Sequence, residues 1–72
     1  MTERRGGEVM INLAKIRTMK GLTQAQLADR AGLTQETISL YESGKQRPFS
    51  ENIFKIAVAL ECTVDDLFRG EV

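Results

Sequence analysis

The stretch TQAQLADRAGLTQETISLYESGKQRP, residues 23 to 48, decides the fold. Thr23 stands before Gln24, Ala25 and Gln26, a helix N-cap with a glutamine placed to return a bond to the cap's own N–H. Leu27, Ala28 and Ala31 then line one helical face, and Gly32 stops the helix. Thr34 repeats the start signal with Thr37 three residues on. Ile38 and Tyr41 mark the buried side of the next helix, which Gly44 ends by supplying the left-handed backbone that other residues resist. KQRPF, residues 45 to 49, reads as a proline-bearing loop. Two short helices joined by a tight glycine turn form the helix-turn-helix arrangement, here spanning about residues 24 to 43. Ala28 is small enough to let the second helix cross close, and Ile38 plugs the gap with Leu33 and Tyr41.

Working outward, Leu13, Ile16 and Arg17 share a face at i, i+3 and i+4, which predicts a helix over residues 10 to 20 that stops at Gly21. Downstream, Ile53, Ile56, Ala57 and Leu60 repeat at i, i+3, i+4 and i+7, with Ser50 expected as the cap. Thr63 is expected to cap a last short helix, with Asp65 and Asp66 where the helix dipole favours acids. Leu67 and Phe68 are its apolar side chains. No segment alternates at period 2 and no repeat is present, so the expected fold is all-α with five short helices. Residues 1 to 9 lack periodic apolar positions and read as a flexible arm, residues 10 to 69 as the folded unit and residues 70 to 72 as a tail.

Composition narrows the chemistry. The chain has 72 residues, 42 % hydrophobic and 28 % charged, enough for one small domain. No histidine and one cysteine leave no zinc framework, no histidine-based acid/base pair and no intrachain disulfide. The expectation is therefore no enzymatic activity, no cofactor, no metal and no small-molecule substrate. Cys62 reads as a small core hydrophobe. The longest apolar run, IAVAL at residues 56 to 60, is far below the roughly 20 residues of a membrane span. Arg4 and Arg5 precede no apolar leader segment, so the chain is expected in the cytoplasm, away from membranes. A core this small yields only ~3–5 kcal/mol, which makes dimerisation an expected support.

The formal net charge is zero, but the charge is divided. Residues 11 to 47 carry six basic side chains (Lys15, Arg17, Lys20, Arg30, Lys45, Arg47) against three acidic ones, Asp29, Glu36 and Glu42. Residues 48 to 72 carry Lys55 and Arg69 against Glu51, Glu61, Asp65, Asp66 and Glu71. Neutrality thus hides a dipole whose positive half includes the helix-turn-helix.

The elements TQxxLA (23 to 28), LTQxTIS (33 to 39), YExGKxxP (41 to 48) and an LFxxAxxL-type element, here IFKIAVAL (53 to 60), resemble, at matching spacing, the Cro/CI-type helix-turn-helix regulators of bacteria and phage, also called the xenobiotic-response-element family. The resemblance covers about residues 11 to 68. It implies a five-helix, lambda-repressor-like domain that binds double-stranded DNA as a homodimer on a palindromic operator. Two positions depart from the family pattern. Phe49-Ser50 follows the loop proline where Ser or Thr and then an apolar residue is usual, and Glu61-Cys62 stands where Gly-Val is common.

Roles follow from the groove chemistry such a domain meets. The first turn of the second helix enters the major groove. There Gln35 can pair with adenine N6 and N7, Glu36 can accept from cytosine N4, and Thr37 or Leu40 can meet a thymine methyl. Gln24, Thr34, Lys45 and Arg47 are expected at the phosphates. By the resemblance, Arg17 and Glu42 form a structural pair that locks the recognition unit onto the first helix. The apolar residues left over, Phe54, Val58, Val64, Leu67 and Phe68, are expected to form the dimer interface. The expected function is that of a small dimeric transcriptional regulator, a repressor. The alternative is an antitoxin-like or adaptor protein whose domain mainly binds another protein.

Overall fold

The computed structural model describes Met10 and residues 12 to 68; the expected arm and tail, with Arg69, lie outside the described residues. Among the described residues there are five helices and no strand: α1 (Leu13–Met19), α2 (Gln24–Ala31), α3 (Gln35–Ser43), α4 (Ser50–Leu60) and α5 (Val64–Phe68). Helix α2 packs against α3 and α4, α1 against α3 and α5, and α4 against α5. Leu13, Leu27, Ile38, Tyr41, Ile56 and Leu60 meet in one core, with Ala28 and Ala31 as the small residues of α2.

Three of the helix starts follow the threonine signals. The Thr23 hydroxyl accepts from the Gln26 N–H at 3.0 Å, and the Gln26 side chain accepts from the Thr23 N–H at 2.9 Å, a reciprocal capping box. Thr34 accepts from the Thr37 N–H at 3.2 Å. Thr63 accepts from the Asp66 N–H at 3.0 Å, and Asp66 accepts from the Thr63 N–H at 3.2 Å, so this acid closes a second box.

The other two starts differ from the sequence reading. Helix α4 is capped by Phe49, in extended backbone and with no side-chain bond, and Ser50 is the first residue inside the helix. Pro48 is buried just before it, and Ile53 donates to the Phe49 carbonyl at 2.9 Å, so anchoring of apolar groups sets where the first turn closes. A hydroxyl cap contributes about 1 kcal/mol, less than burying one aliphatic side chain. Helix α1 begins at Leu13 rather than at residue 10. The Asn12 backbone N–H donates to the Leu67 carbonyl at 3.2 Å and its side-chain amide to the Asp66 carbonyl at 2.9 Å, which ties Asn12 to α5. Met10, 1 % exposed, enters the core ahead of the helix.

Leu67 also needs correction. Assigned above to a dimer interface, it is 0 % exposed in the core, where it closes the base of α5 and has no surface left for a partner. Phe68 is half-buried against the same core. Cys62 behaves as expected of a small apolar residue: a free, half-buried thiol packed on the core. Burial foremost, and then the Asp66 carboxylate, push its thiol above its ordinary pKa, with Lys20 opposing.

A strap of polar bonds joins α1 to α3. Arg17 donates through Nε to Glu42 Oε2 at 2.6 Å and through Nη2 to Oε1 at 3.3 Å, while Nη1 donates to the Leu22 carbonyl at 2.8 Å. The two side chains are only 17 % and 9 % exposed, so solvent screens the pair weakly. Removing one member of such a pair strands the other. Glu42→Ala is expected to destabilise the domain by about 3 kcal/mol, whereas Arg17→Met with Glu42→Leu, which fills the same space without charge, should cost far less. Urea titrations of the two variants would show this difference, and equal losses would mean that packing alone links α1 to α3.

Helices α2, α3 and α4 end alike, each in a left-handed residue: Gly32 (φ 73°), Gly44 (φ 78°) and Glu61 (φ 56°). The next N–H in each case reaches back into the helix, Leu33 to Ala28 at 2.8 Å, Lys45 to Leu40 at 3.0 Å and Cys62 to Ala57 at 3.0 Å. Glu61 holds this conformation with a side chain that opposes it. Glu61→Gly is expected to stabilise the fold by about 0.5–1 kcal/mol, and Gly32→Ala, whose methyl would meet nothing within 4 Å, to destabilise it by the backbone strain alone, about 1–2 kcal/mol. Thermal melts of the two variants should therefore shift in opposite directions.

Candidate nucleic-acid interface

The α2–α3 unit presents one end to solvent, and its geometry follows from the two caps and the turn between them. Gly32 ends α2 in the left-handed conformation, and after Leu33 the cap Thr34 starts α3, whose first residue Gln35 approaches Gln24 at the start of α2. The Thr34 and Thr37 hydroxyls lie 2.8 Å apart, one donating to the other, which ties Thr37 to the cap. Gln35 and Glu36 are the exposed side chains of the first turn. Ser39, one turn further on, is exposed on the same side as Gln35, and Leu40 is half-buried.

Ser39 was absent from the sequence-derived set. Its i+4 spacing from Gln35 was the available signal, but a serine makes no pattern of its own in a helix. Ser43 continues that face, its hydroxyl donating to the Leu40 carbonyl at 3.1 Å.

Gln24 sits at the first position of α2 and is drawn inward rather than left open to solvent. Its Nε2 donates to Glu42 Oε1 at 2.9 Å, and its Oε1 accepts from Gln35 Nε2 at 3.5 Å. The pair Arg17 and Glu42 is thereby continuous with the exposed tip of α3. Sequence reasoning named all four residues but placed them in three separate roles. Their joining depends on α1, α2 and α3 converging, which spacing along the chain does not reveal.

Beyond α3 the loop is held at both ends. Lys45 and Gln46 donate backbone N–H groups to the Leu40 carbonyl at 3.0 and 3.4 Å, and Pro48 is buried. Lys45 and Arg47 are exposed between these anchors. Lys15, Lys20 and Arg30 are exposed on α1, its end and α2, while Glu51, Glu61, Asp65 and Asp66 are exposed on the later elements. Lys55 and Glu51 pair at 3.5 Å along α4.

A second surface lies on α4 and α5. Phe54, Val58 and Val64 are 65 %, 61 % and 41 % exposed, large apolar side chains that the core does not use. Phe54 and Val58 are four apart and share a face of α4. Among the described residues no cluster of acids and Cys62 is arranged to hold a metal ion, and no helix is long and apolar enough to cross a membrane.

Comparison with known proteins agrees with this architecture. The helix-turn-helix family model matches residues 13 to 67. The chain is 46 % identical over 55 residues to the cryptic phage CTXphi transcriptional repressor RstR of Vibrio cholerae, covering 76 % of this chain and 49 % of that protein. It is 37 % identical over 60 residues to the uncharacterised HTH-type transcriptional regulator YqaE of Bacillus subtilis, covering 83 % of this chain and 52 % of the other. The chain thus spans about half the length of these curated relatives. Among solved structures, the restriction-modification controller protein C.AhdI of Aeromonas hydrophila superposes with a TM-score of 0.77 at 37 % identity, over 79 % of this chain and 86 % of that one. The P22 c2 repressor, solved in complex with a synthetic operator, superposes with a TM-score of 0.77 at 28 % identity over 96 % of this chain and 100 % of its own. With the capped α2–α3 unit and the five-helix core, these likenesses establish that the chain belongs to the Cro/CI-type helix-turn-helix family of transcriptional regulators.

Proposed function

We propose that this chain binds double-stranded DNA sequence-specifically, as a homodimer on a palindromic operator, and acts as a transcriptional repressor without catalytic activity in the cytoplasm. The observation that carries the reading is the exposed first turn of α3, where Gln35 and Glu36 face solvent on a helix tied through its own Glu42 to Arg17 of α1 and Gln24 of α2. A reading helix must present side chains to base edges while its backbone stays fixed, and this one has both properties. The P22 c2 repressor, solved on a synthetic operator, has the same arrangement of helices.

In this role Gln35 contacts adenine, Glu36 accepts from cytosine N4, and Ser39 joins them on the groove side. Thr37 and Leu40 border that face. Lys45 and Arg47 reach phosphates from the loop, and Thr34 and the second amide hydrogen of Gln24 lie beside them. The expected contrast is between readers and positioners. Gln35→Ala should reduce preference at one base position by about 1–3 kcal/mol, while Arg47→Ala should weaken all sequences alike and reduce the salt slope by about 1. Gel-shift titrations at several salt concentrations, with operator variants, measure both. Matching sequence-independent losses would remove Gln35 from base readout.

The dimer is assigned to Phe54, Val58 and Val64, with Phe68 at the edge and Leu67 excluded by its burial. A two-fold contact on this face places two reading helices about 34 Å apart, on successive turns of one side of the duplex. Each side chain is then used twice. Phe54→Asp would bring two carboxylates into the interface, so analytical ultracentrifugation should find a monomer whose circular dichroism is unchanged. A wild-type chain that is itself monomeric would instead give this face to a different protein, as an antitoxin-like or adaptor role requires.

A further inference from the structure

Reading by Gln35 depends on which way its amide points, because a primary amide has two unlike ends: a carbonyl oxygen that only accepts and an NH2 that only donates. An exposed glutamine can present either. Here the choice is made from inside the protein, starting at Glu42.

The Glu42 carboxylate receives Arg17 at both oxygens and is nearly buried. A carboxylate has no hydrogen to give, so the end of Gln24 that faces it at 2.9 Å has to be the NH2. That turns the Gln24 oxygen the opposite way, towards Gln35, whose Nε2 lies 3.5 Å from it. Gln35 therefore turns its NH2 towards the protein, keeping one hydrogen on it and both lone pairs of its oxygen for a base edge. An adjacent donor and acceptor in fixed order match adenine N7 and N6. Guanine shows two acceptors at the same edge and would be matched by the opposite turn of the amide.

Accordingly, we propose that Glu42 is a specificity-determining positioning residue: through Gln24 it fixes the amide orientation of Gln35 and so biases the reading helix towards adenine over guanine. The proposal rests on the reading of Gln35 as a base contact, and it adds a role for a residue assigned so far only to bracing α1 against α3. A side chain held in its reading orientation before binding also loses less freedom on the DNA.

The test reverses the relay and then restores it. In Glu42→Gln the single oxygen stays with Arg17 and an NH2 faces Gln24, so Gln24 and then Gln35 turn over. Discrimination at the base position lost in Gln35→Ala should fall by about tenfold, with affinity for mixed-sequence DNA little changed. Adding Gln24→Glu to Glu42→Gln returns an acceptor to Gln35, so the double variant should recover the discrimination while binding all DNA more weakly, its carboxylate now being nearer the phosphates. A bracing role alone would make discrimination follow melting temperature through the series. The free protein is examined by NMR in parallel: in the wild type the Gln24 side-chain amide protons should be shifted downfield and slow to exchange, and both features should vanish in Glu42→Gln. This measurement needs no DNA, so it separates failure of the relay from failure of the base-contact reading. Unchanged discrimination in Glu42→Gln, a folded double variant without recovery, or Gln24 amide protons like those of exposed glutamines would each overturn the proposal.

Discussion

One carboxylate at the end of α3 holds the molecule's functional end together. Glu42 accepts from Arg17 of α1 and from Gln24 of α2, so three helices are joined through a group with acceptors only. Taking a carboxylate this far out of water is costly unless its oxygens are filled, and here Arg17 fills both while Gln24 adds a bond to Oε1. The arrangement stabilises little in net terms compared with an apolar plug. What it supplies is direction: hydrogen bonds specify angles and ends of groups, which packed methyl groups do not. A helix that reads base edges needs that kind of constraint more than it needs additional stability.

The parts of the fold legible in the sequence were those whose cause is local. Thr23 and Gln26, Thr34 and Thr37, and the glycines at 32 and 44 act over three to five residues, and the structure contains each of those caps and turns where the spacing placed them. The start of α4 was misread because a serine beside a proline loop is a strong local signal, yet burial of Pro48 set the register one residue earlier. Helix α1 was read too long because the bonds that end it run from Asn12 to Asp66 and Leu67, fifty-four residues away for the side-chain bond. Tertiary partners cannot be read from periodicity.

The same division separates the site residues. The exposure of Gln35 and Glu36 could be read from the sequence because first-turn polar residues on a short amphipathic helix have few structural duties. Leu67 was misassigned because an apolar residue in a terminal five-residue helix has two equivalent local readings, core or surface, and only the three-dimensional closure of α5 on α1 decides between them. Phe54 and Val58 show the converse. They sit on the helix whose apolar repeat was the most regular in the sequence, yet the domain is too small to surround α4, and that helix keeps a second apolar face outside.

The charge division gives these surfaces different tasks. A domain with zero net charge gains no general attraction to a polyanion, so any approach to DNA must be oriented by where its charges stand. Exposed Lys15, Lys20, Arg30, Lys45 and Arg47 stand on α1, its end, α2 and the loop after α3, while exposed acids stand on α4 and α5, the helices that carry the apolar residues proposed for dimerisation. Under the proposed role, Glu36 lowers affinity for every sequence by bringing a carboxylate near phosphates, a loss recovered only where a cytosine amine meets it. In the same proposed role Gln35, turned by its neighbours to one of its two faces, would give up binding to the wrong base rather than add strength on the right one. Both proposed devices reduce what the domain can bind, and the proposed dimer would compensate by doubling the contacts of a small surface without enlarging the chain.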